Sequence, residues 1–243
     1  MTTAPPFPGA VGASHLRVYD SVAPDGLRGG TPHVHLACSE AYYVVAGRGR
    51  VLTLGPGGLR ETPLEPGAFV WFTPGTIHRL VNEGALEILV VMQNAGLPEA
   101  GDMVITFPTE HLTDTGSYRR AAVLPAGETT TAGSGDAARL RRDRGVEGFV
   151  RLVGEMERGG LPALEDFYRR ATAIVQPELE RWRRVWEQGP LALAQQTGAQ
   201  LEGLARGDFA HLLEASVHAQ RPPSAERRMG CCGTLGVYVA PGT

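Results

Sequence analysis

The sequence of 243 residues is poor in the features that mark several large classes of protein. Its three cysteines, Cys38, Cys231 and Cys232, are too few and of the wrong number to make a disulfide framework. No apolar run approaches the roughly 20 residues that a membrane-spanning helix needs. There is no lysine, and the formal net charge is −3, so no broad positive surface attracts nucleic acid or anionic lipid. We therefore expect neither a membrane nor a nucleic-acid partner.

The first residues also lack a basic segment followed by an apolar one, which is the pattern of a secretory signal peptide. Together with the scarcity of cysteine, this predicts a cytoplasmic protein with reduced thiols. A hydrophobic content of 42% and a charged content of 20% are ordinary for a globular protein.

Two kinds of periodicity divide the chain near its middle. Residues 14–110 contain short runs rich in β-branched and aromatic residues, bounded by Gly, Pro or Asn, which is typical of a β-sandwich or barrel. The second half has apolar residues at helical spacing, and a polar, Gly/Thr-rich stretch separates the two parts. We predict an α+β protein with a β-barrel over residues 1–115, a linker over 116–135, a helical region over 136–221 and a C-terminal tail over 222–243 that contains a further strand.

The helical region carries a long apolar stripe. Pro162 and Pro177 suit the first turns of two successive helices, although Pro177 could instead kink one long helix. Because two Trp side chains on one face carry a large apolar area, we expect the barrel, neighbouring helices or a second subunit to cover the stripe. The stripe consists of Leu164, Tyr168, Val175, Trp182 and Trp186.

Residues 193–207 have a superficial likeness to a helix-turn-helix, with Ala194, Gly198 and Leu204 at suitable offsets. The segment that would be the recognition helix has hardly any basic residue beyond Arg206, whereas contacts with phosphate need Lys or Arg. We therefore expect no DNA binding from this segment.

Side chains that bind metals cluster around one predicted strand. His33 and His35 are two residues apart, so on a strand both point to the same side. Glu40 follows after enough residues for a turn, and His78 comes just after a Pro-Gly turn farther along. Three imidazoles and one carboxylate suit a divalent transition metal such as Fe, Mn, Ni, Co, Cu or Zn. On a six-coordinate ion these ligands would leave two positions open for water, substrate or dioxygen.

The spacing of these residues resembles the two sequence motifs of the cupin superfamily. The resemblance covers about the first 110 residues and implies a double-sheet jelly-roll barrel that holds one metal ion inside. It also implies which side chains are the ligands, namely the two histidines and the glutamate of the first motif and the histidine of the second. Some cupins keep the fold and lose the metal, so metal binding is an expectation here. The first motif comprises His33, His35, Glu40 and Gly47, and the second comprises Gly67, Pro74, Gly75, His78 and Asn82.

Aromatic residues near the two motifs are candidates for lining a substrate pocket. Tyr42 shares strand parity with Glu40 and should point into the barrel, although simple core packing would explain Tyr42 equally well. Trp71 and Phe72 precede the second motif, and we include both as candidates because the nearby turn leaves their parity open. Cys38 lies between the ligands and is expected to pack as a small hydrophobic residue rather than bind the metal.

Three classes of function are compatible with these features, because a fold does not by itself define an activity. The first is a metal-dependent enzyme of dioxygenase type acting on a small organic molecule, which the aromatic candidates favour. The second is a sugar or sugar-phosphate isomerase, which would use cations such as Arg48, Arg50 and Arg79 to bind phosphate. The third is a non-catalytic binding or sensing protein with the helical region as its effector. The resemblance also implies a homodimer.

Overall fold

The structure is a computed structural model that describes residues 6–125, 135–220 and 227–238. Over these residues it has an antiparallel sheet followed by helices, which confirms the predicted α+β class. The strands are β1 Gly12–Val18, β2 His33–Val34, β3 Glu40–Gly55, β4 Gly58–Leu64, β5 Phe69–Phe72, β6 Ile77–Met92, β7 Val104–Ile105, β8 Arg228–Met229 and β9 Gly233–Val237. The helices are α1 Thr115–Ala122, α2 Asp136–Gly159, α3 Leu161–Val175, α4 Leu179–Trp186 and α5 Ala192–Ala205.

The barrel is organised around its two longest strands. β3 and β6 pair with each other along most of their length, and the sheet continues in the order β4-β3-β6-β1-β9-β8, with β5 on β3 and β2 on β6. The sequence predicted only short strands in this part of the chain. The structure instead bends a continuous pair through register shifts between Val44 and Gly49. Gly47 makes this bend possible, since its φ is +73° and a Cβ there would lie 2.1 Å from the Ala85 carbonyl oxygen.

Side chains alternate between the two faces of each strand, and the apolar ones form two separate cores. One fills the barrel and includes Leu16, Tyr42 and Ile88. The other lies between the barrel and the helices, where outward-facing strand residues meet helical ones. His33 therefore faces the interior, and its neighbour Val34 faces the helices.

Helices α3 to α5 form one nearly continuous helical run. A 3-10 turn at Gln176–Glu178 joins α3 to α4, and a π-helical turn at Glu187–Leu191 joins α4 to α5. Pro177 thus kinks a long helix, which was the second of the two alternatives. The segment with the helix-turn-helix likeness lies almost wholly within α5, and no turn interrupts it at Gly198. Among the described residues, no helix is both long and apolar enough to cross a membrane.

The apolar stripe of the helical region is largely covered within the chain. Leu164, Val175 and Trp182 are buried, and the Trp182 indole Nε1 donates a hydrogen bond to the Ala100 carbonyl at 3.0 Å. Trp186, one turn farther on, remains 37% exposed. The covering surface comes from the outer side of the barrel and from the neighbouring helices.

Helix α2 packs close to the barrel because glycines of the helix face the barrel. A Cβ at Gly148 would sit 2.0 Å from the Thr106 carbonyl oxygen, so a larger residue could not occupy this position without moving the helix. The buried guanidinium of Arg142 donates hydrogen bonds to the carbonyls of Ser21 and Val22. The helix is thereby hydrogen-bonded to the loop that follows β1.

Helix α1 occupies the range that the sequence assigned to a linker, whereas the last two strands lie in the tail, where the sequence predicted a further strand. The Asp114 side chain caps α1 by accepting a hydrogen bond from the Ser117 N–H. The tail carries β8 and β9, and β9 pairs with β1 at the edge of the barrel. The rest of the linker, 126–134, and parts of the tail, 221–226 and 239–243, lie outside the described residues.

Replacing Trp182 with alanine should destabilise the fold strongly. The change would empty a buried site and leave the Ala100 carbonyl without its indole donor, so we expect a loss of about 3–5 kcal/mol in the free energy of unfolding. The matched control is Trp186→Ala, four residues away, which should lose less than about 1.5 kcal/mol. Urea denaturation of the three proteins measures both values. Similar losses in both variants would contradict the packing described above.

Candidate metal centre

Four potential metal ligands from separate parts of the barrel meet at one point in its interior. His33 lies in β2, His35 follows it, Glu40 begins β3 and His78 lies near the start of β6. All four are buried, and one donor atom from each lies within 4.8 Å of the others. The structure thus brings together all four ligands that the sequence predicted, although their role as metal ligands remains a prediction.

Backbone carbonyl groups determine which nitrogen of each imidazole faces this point. Nδ1 of His33 lies 2.8 Å from the Thr31 carbonyl oxygen, and Nδ1 of His78 lies 3.0 Å from that of Thr76. Nδ1 of His35 is hydrogen-bonded to the Asp102 carbonyl in the same way. A carbonyl oxygen can only accept, so each Nδ1 must carry the proton and donate it. In the neutral imidazoles every Nε2 therefore presents a lone pair.

The three Nε2 atoms therefore carry no proton that could form a hydrogen bond to one another or to the Glu40 carboxylate. Nε2 of His78 lies 3.1 Å from Nε2 of His33 and 3.0 Å from Oε2 of Glu40, which is also 3.5 Å from Nε2 of His35. Among the described residues none donates a hydrogen bond of normal geometry to Glu40 Oε2, although the Tyr42 hydroxyl lies beside this carboxylate. Lone pairs this close repel one another unless a cation or a proton lies between them. Three nitrogens and one carboxylate oxygen are a donor set that suits a divalent transition metal.

Burial keeps the imidazoles in the neutral form that metal binding requires. Burial lowers the pKa of His33 well below its usual 6.5, and the neighbouring imidazoles of His78 and His35 lower it further. Burial also lowers the pKa of His35, and it lowers the pKa of His78 to about 4. At neutral pH all three rings can therefore act as ligands without first losing a proton.

Two aromatic rings pack against the cluster. The ring centroid of Phe72 lies 4.3 Å from that of His78 and 5.3 Å from that of Tyr42. Burial raises the pKa of Tyr42 well above its usual range, and the adjacent Glu40 carboxylate raises it further, so the hydroxyl keeps its proton. Both residues were predicted near the site from the sequence.

Trp71 was wrongly included among the pocket candidates. Phe72 pairs with Glu40 across β5 and β3, so Phe72 faces the interior, whereas Trp71 pairs with Ala41 and faces the opposite side. Its side chain is 69% exposed. The sequence left the parity open because a turn follows directly after this strand.

The sequence of the barrel matches a known family. A profile of the cupin domain matches residues 19–92, a range that contains all four clustered residues. Residues 19–92 therefore contain a cupin domain. No curated protein sequence matches it.

Solved structures of other proteins align with two fifths of the chain or less. The Streptomyces nucleoside dehydratase Pac13 is 17% identical, with 40% of this chain and 68% of that protein aligned at a TM-score of 0.31. A candidate sugar phosphate isomerase from Acidithiobacillus ferrooxidans is 26% identical, with 35% and 50% aligned at a TM-score of 0.28. Oxalate decarboxylase from Bacillus subtilis is 21% identical, with 35% and 21% aligned at a TM-score of 0.30.

Several residues that support the cluster were missed in the sequence. Thr31 and Thr76 each precede a clustered histidine by two residues and accept its Nδ1 proton, so the shared spacing Thr-x-His could have revealed them. Asp102 and Cys232 lie beyond the cupin domain and carried no local signal. Cys232 Sγ lies 3.9 Å from His33 Nδ1, behind the ring.

The thiols near the site are protonated. Burial raises the pKa of Cys232 well above its usual value, and neighbouring Cys231 raises it further. Burial likewise raises the pKa of Cys38, whose side chain packs in the core between the barrel and the helices, as predicted. Since thiolates rather than thiols bind metals, these residues are poor candidates for additional ligands.

The metal-free protein should lose stability as the pH falls from about 6.5 to about 4. Unfolded histidines take up protons near pH 6.5, while the buried ones resist protonation, so stability is present above that pH and is lost below it. Each imidazole contributes at most about 1.4 kcal/mol per pH unit. Replacing His78 with glutamine should remove roughly a third of this slope.

Urea denaturation across this pH range measures the slope in the absence of metal. The control is His218→Gln, because His218 is exposed and its replacement should leave the slope unchanged. An identical slope in the wild type and in His78→Gln would mean that His78 is not held neutral in the fold.

Proposed function

We propose that this cupin is a metal-dependent enzyme that acts on a small, largely apolar organic molecule, with a dioxygenase-type reaction as the first candidate. The observation that carries the proposal is the convergence of three proton-free imidazole nitrogens and one carboxylate oxygen in a buried interior. The candidate cofactor is one divalent transition metal held by His33, His35, Glu40 and His78. Such an ion supplies Lewis-acid or redox chemistry at the coordination positions that the protein leaves open.

The residues beside the cluster suggest how a substrate would be held. Phe72 offers an apolar ring that would pack against the substrate and exclude water. The protonated hydroxyl of Tyr42 could donate a hydrogen bond to a substrate oxygen near the ion. The carbonyl partners of the imidazoles would keep the ligands from rotating while the substrate binds and leaves.

The charges of the barrel favour this proposal over a sugar-phosphate isomerase. Arg79 is fully buried and paired with Asp25, and Arg50 is paired with Glu61 and Glu83. The third predicted phosphate ligand, Arg48, is exposed on the outside of the barrel. All three are therefore engaged or oriented elsewhere, and a doubly charged phosphate at the cluster would lack their support.

Nitric oxide tests whether the ion has an open position. We expect the iron(II)-loaded protein to bind this dioxygen analogue without air and to give the half-integer-spin EPR signal of an iron–nitrosyl complex. The variant His78→Gln should hold far less iron and give little signal. A hexose phosphate should leave the signal unchanged, since the site provides no cation for the phosphate.

The outcomes separate the three classes of function. A protein that binds no transition metal would contradict the proposal as a whole. A fully loaded site that gives no nitrosyl signal would indicate closed coordination and would favour the non-catalytic binding function. A signal that changes with the hexose phosphate but not with apolar aromatic acids would favour the isomerase.

We further propose that the protein is a homodimer that pairs through the outer face of its sheet. This face, which we call the aromatic face, combines Tyr43, Val45, Phe69 and Trp71, each between 43% and 69% exposed. Tyr43 pairs with Phe69 across β3 and β5, so the side chains form one continuous apolar surface. A two-fold axis would place this surface against its own copy, and a standard interface needs only about 800 Å² from each partner.

Trp71→Glu should dissociate this dimer. A charge at the centre of an apolar interface is costly to bury, so we expect the variant to be monomeric in size-exclusion chromatography with light scattering. Leu213→Glu is the matched control, because Leu213 is 79% exposed on a different surface. A monomeric wild type would contradict the proposal, and dissociation by Leu213→Glu alone would assign the interface to the C-terminal helices.

A further inference from the structure

A buried carboxylate outside the cupin domain faces one of the predicted metal ligands. Asp102 lies in the loop before β7 and is fully buried. Its Oδ1 atom accepts hydrogen bonds from the N–H groups of Leu36 and Ala37, both at 2.9 Å. The carboxylate thus holds the backbone directly after His35.

The same residue also contacts the His35 ring. The Asp102 backbone carbonyl accepts the Nδ1 proton of His35, and carboxylate oxygen Oδ2 lies 3.8 Å from that nitrogen. Oδ2 accepts no hydrogen bond of normal geometry from the described residues, although the thiol of Cys38 also lies beside the carboxylate. A buried polar oxygen without such a hydrogen bond costs free energy, so the position of Oδ2 beside the His35 ring points to a role beyond holding the backbone.

We propose that Asp102 is a positioning residue that holds His35 with Nε2 directed at the metal ion. Its side chain fixes the backbone after His35, and its backbone carbonyl fixes the proton on Nδ1. Outer partners of this kind raise metal affinity without touching the metal. The inference rests on the proposed metal centre and adds to it a residue that the cupin motifs do not contain.

The helical region holds the loop that carries Asp102. The indole N–H of Trp182 in α4 donates a hydrogen bond to the carbonyl of Ala100, which lies two residues before Asp102. The Asp102 N–H in turn donates to the Leu97 carbonyl at 3.0 Å, which closes the loop on itself. The orientation of His35 therefore depends on contacts that reach from the barrel interior to the helices.

The test is Asp102→Asn, measured by titration of the metal-free protein with cobalt(II) and by the visible spectrum of the complex. Asparagine keeps an acceptor for Leu36 and Ala37 but places an amide N–H₂ or a neutral oxygen near the His35 ring. We expect the dissociation constant for cobalt to rise about 10- to 100-fold and the spectrum to change. The metal-free variant should remain folded, because asparagine has the shape of aspartate and keeps the acceptor for both N–H groups.

The matched control is Glu99→Gln in the same loop. The Glu99 carboxylate also accepts a backbone N–H, that of Gly96, but it is exposed, so its loss should leave cobalt affinity unchanged. Unchanged cobalt affinity in Asp102→Asn, or lower stability with unchanged affinity, would overturn the positioning role. A wild type that binds no cobalt would instead overturn the metal centre itself.

A measurement on the wild type covers the case in which Asp102→Asn fails to fold. Nitrogen-15 NMR of labelled imidazoles in the metal-free protein should find the His35 proton on Nδ1. A proton on Nε2 would overturn the proposal, because the ring would then present no lone pair to the ion.

Discussion

The chemistry of the barrel interior depends on three backbone carbonyls that accept hydrogen bonds from the Nδ1–H groups of three imidazoles. Because the carbonyls of Thr31, Thr76 and Asp102 each accept a hydrogen bond from the Nδ1–H group of a histidine, every Nε2 turns a lone pair toward the cluster. The chain thereby assembles four electron-pair donors close together in a buried interior. A divalent cation would satisfy this arrangement, and the carbonyl partners would keep the rings from turning away.

The helical region supports this arrangement and is not a separate attachment. The Tyr168 hydroxyl of α3 donates to the Gly75 carbonyl at 2.6 Å, and the Gly75 N–H donates to the His35 carbonyl at 2.9 Å. On the other side, Trp182 holds the loop that carries Asp102. The barrel and the helices also share one apolar core, which surrounds these contacts. Helix packing and the geometry of the candidate metal centre are therefore linked.

Local patterns predicted the barrel and its four clustered residues, because motif spacing and strand alternation act over a few residues. The same patterns failed where distant parts of the chain decide the outcome. Asp102 and His35 are 67 positions apart, so no local signal connects them. Trp71 was misassigned because a turn beside β5 hides its parity. The pairing of β9 with β1 likewise joins opposite ends of the chain.

X-ray absorption spectroscopy of the metal-loaded protein tests the central claim most directly, because it identifies the atoms bound to the ion. The account predicts a first shell of nitrogen and oxygen only, at about 2.0–2.2 Å, with the outer-sphere scattering of three imidazoles. In His78→Gln the imidazole scattering should fall by one ring or the ion should be lost. A sulfur atom at about 2.3 Å would contradict the claim, since the ion would then be bound by a cysteine such as Cys232 rather than by this cluster.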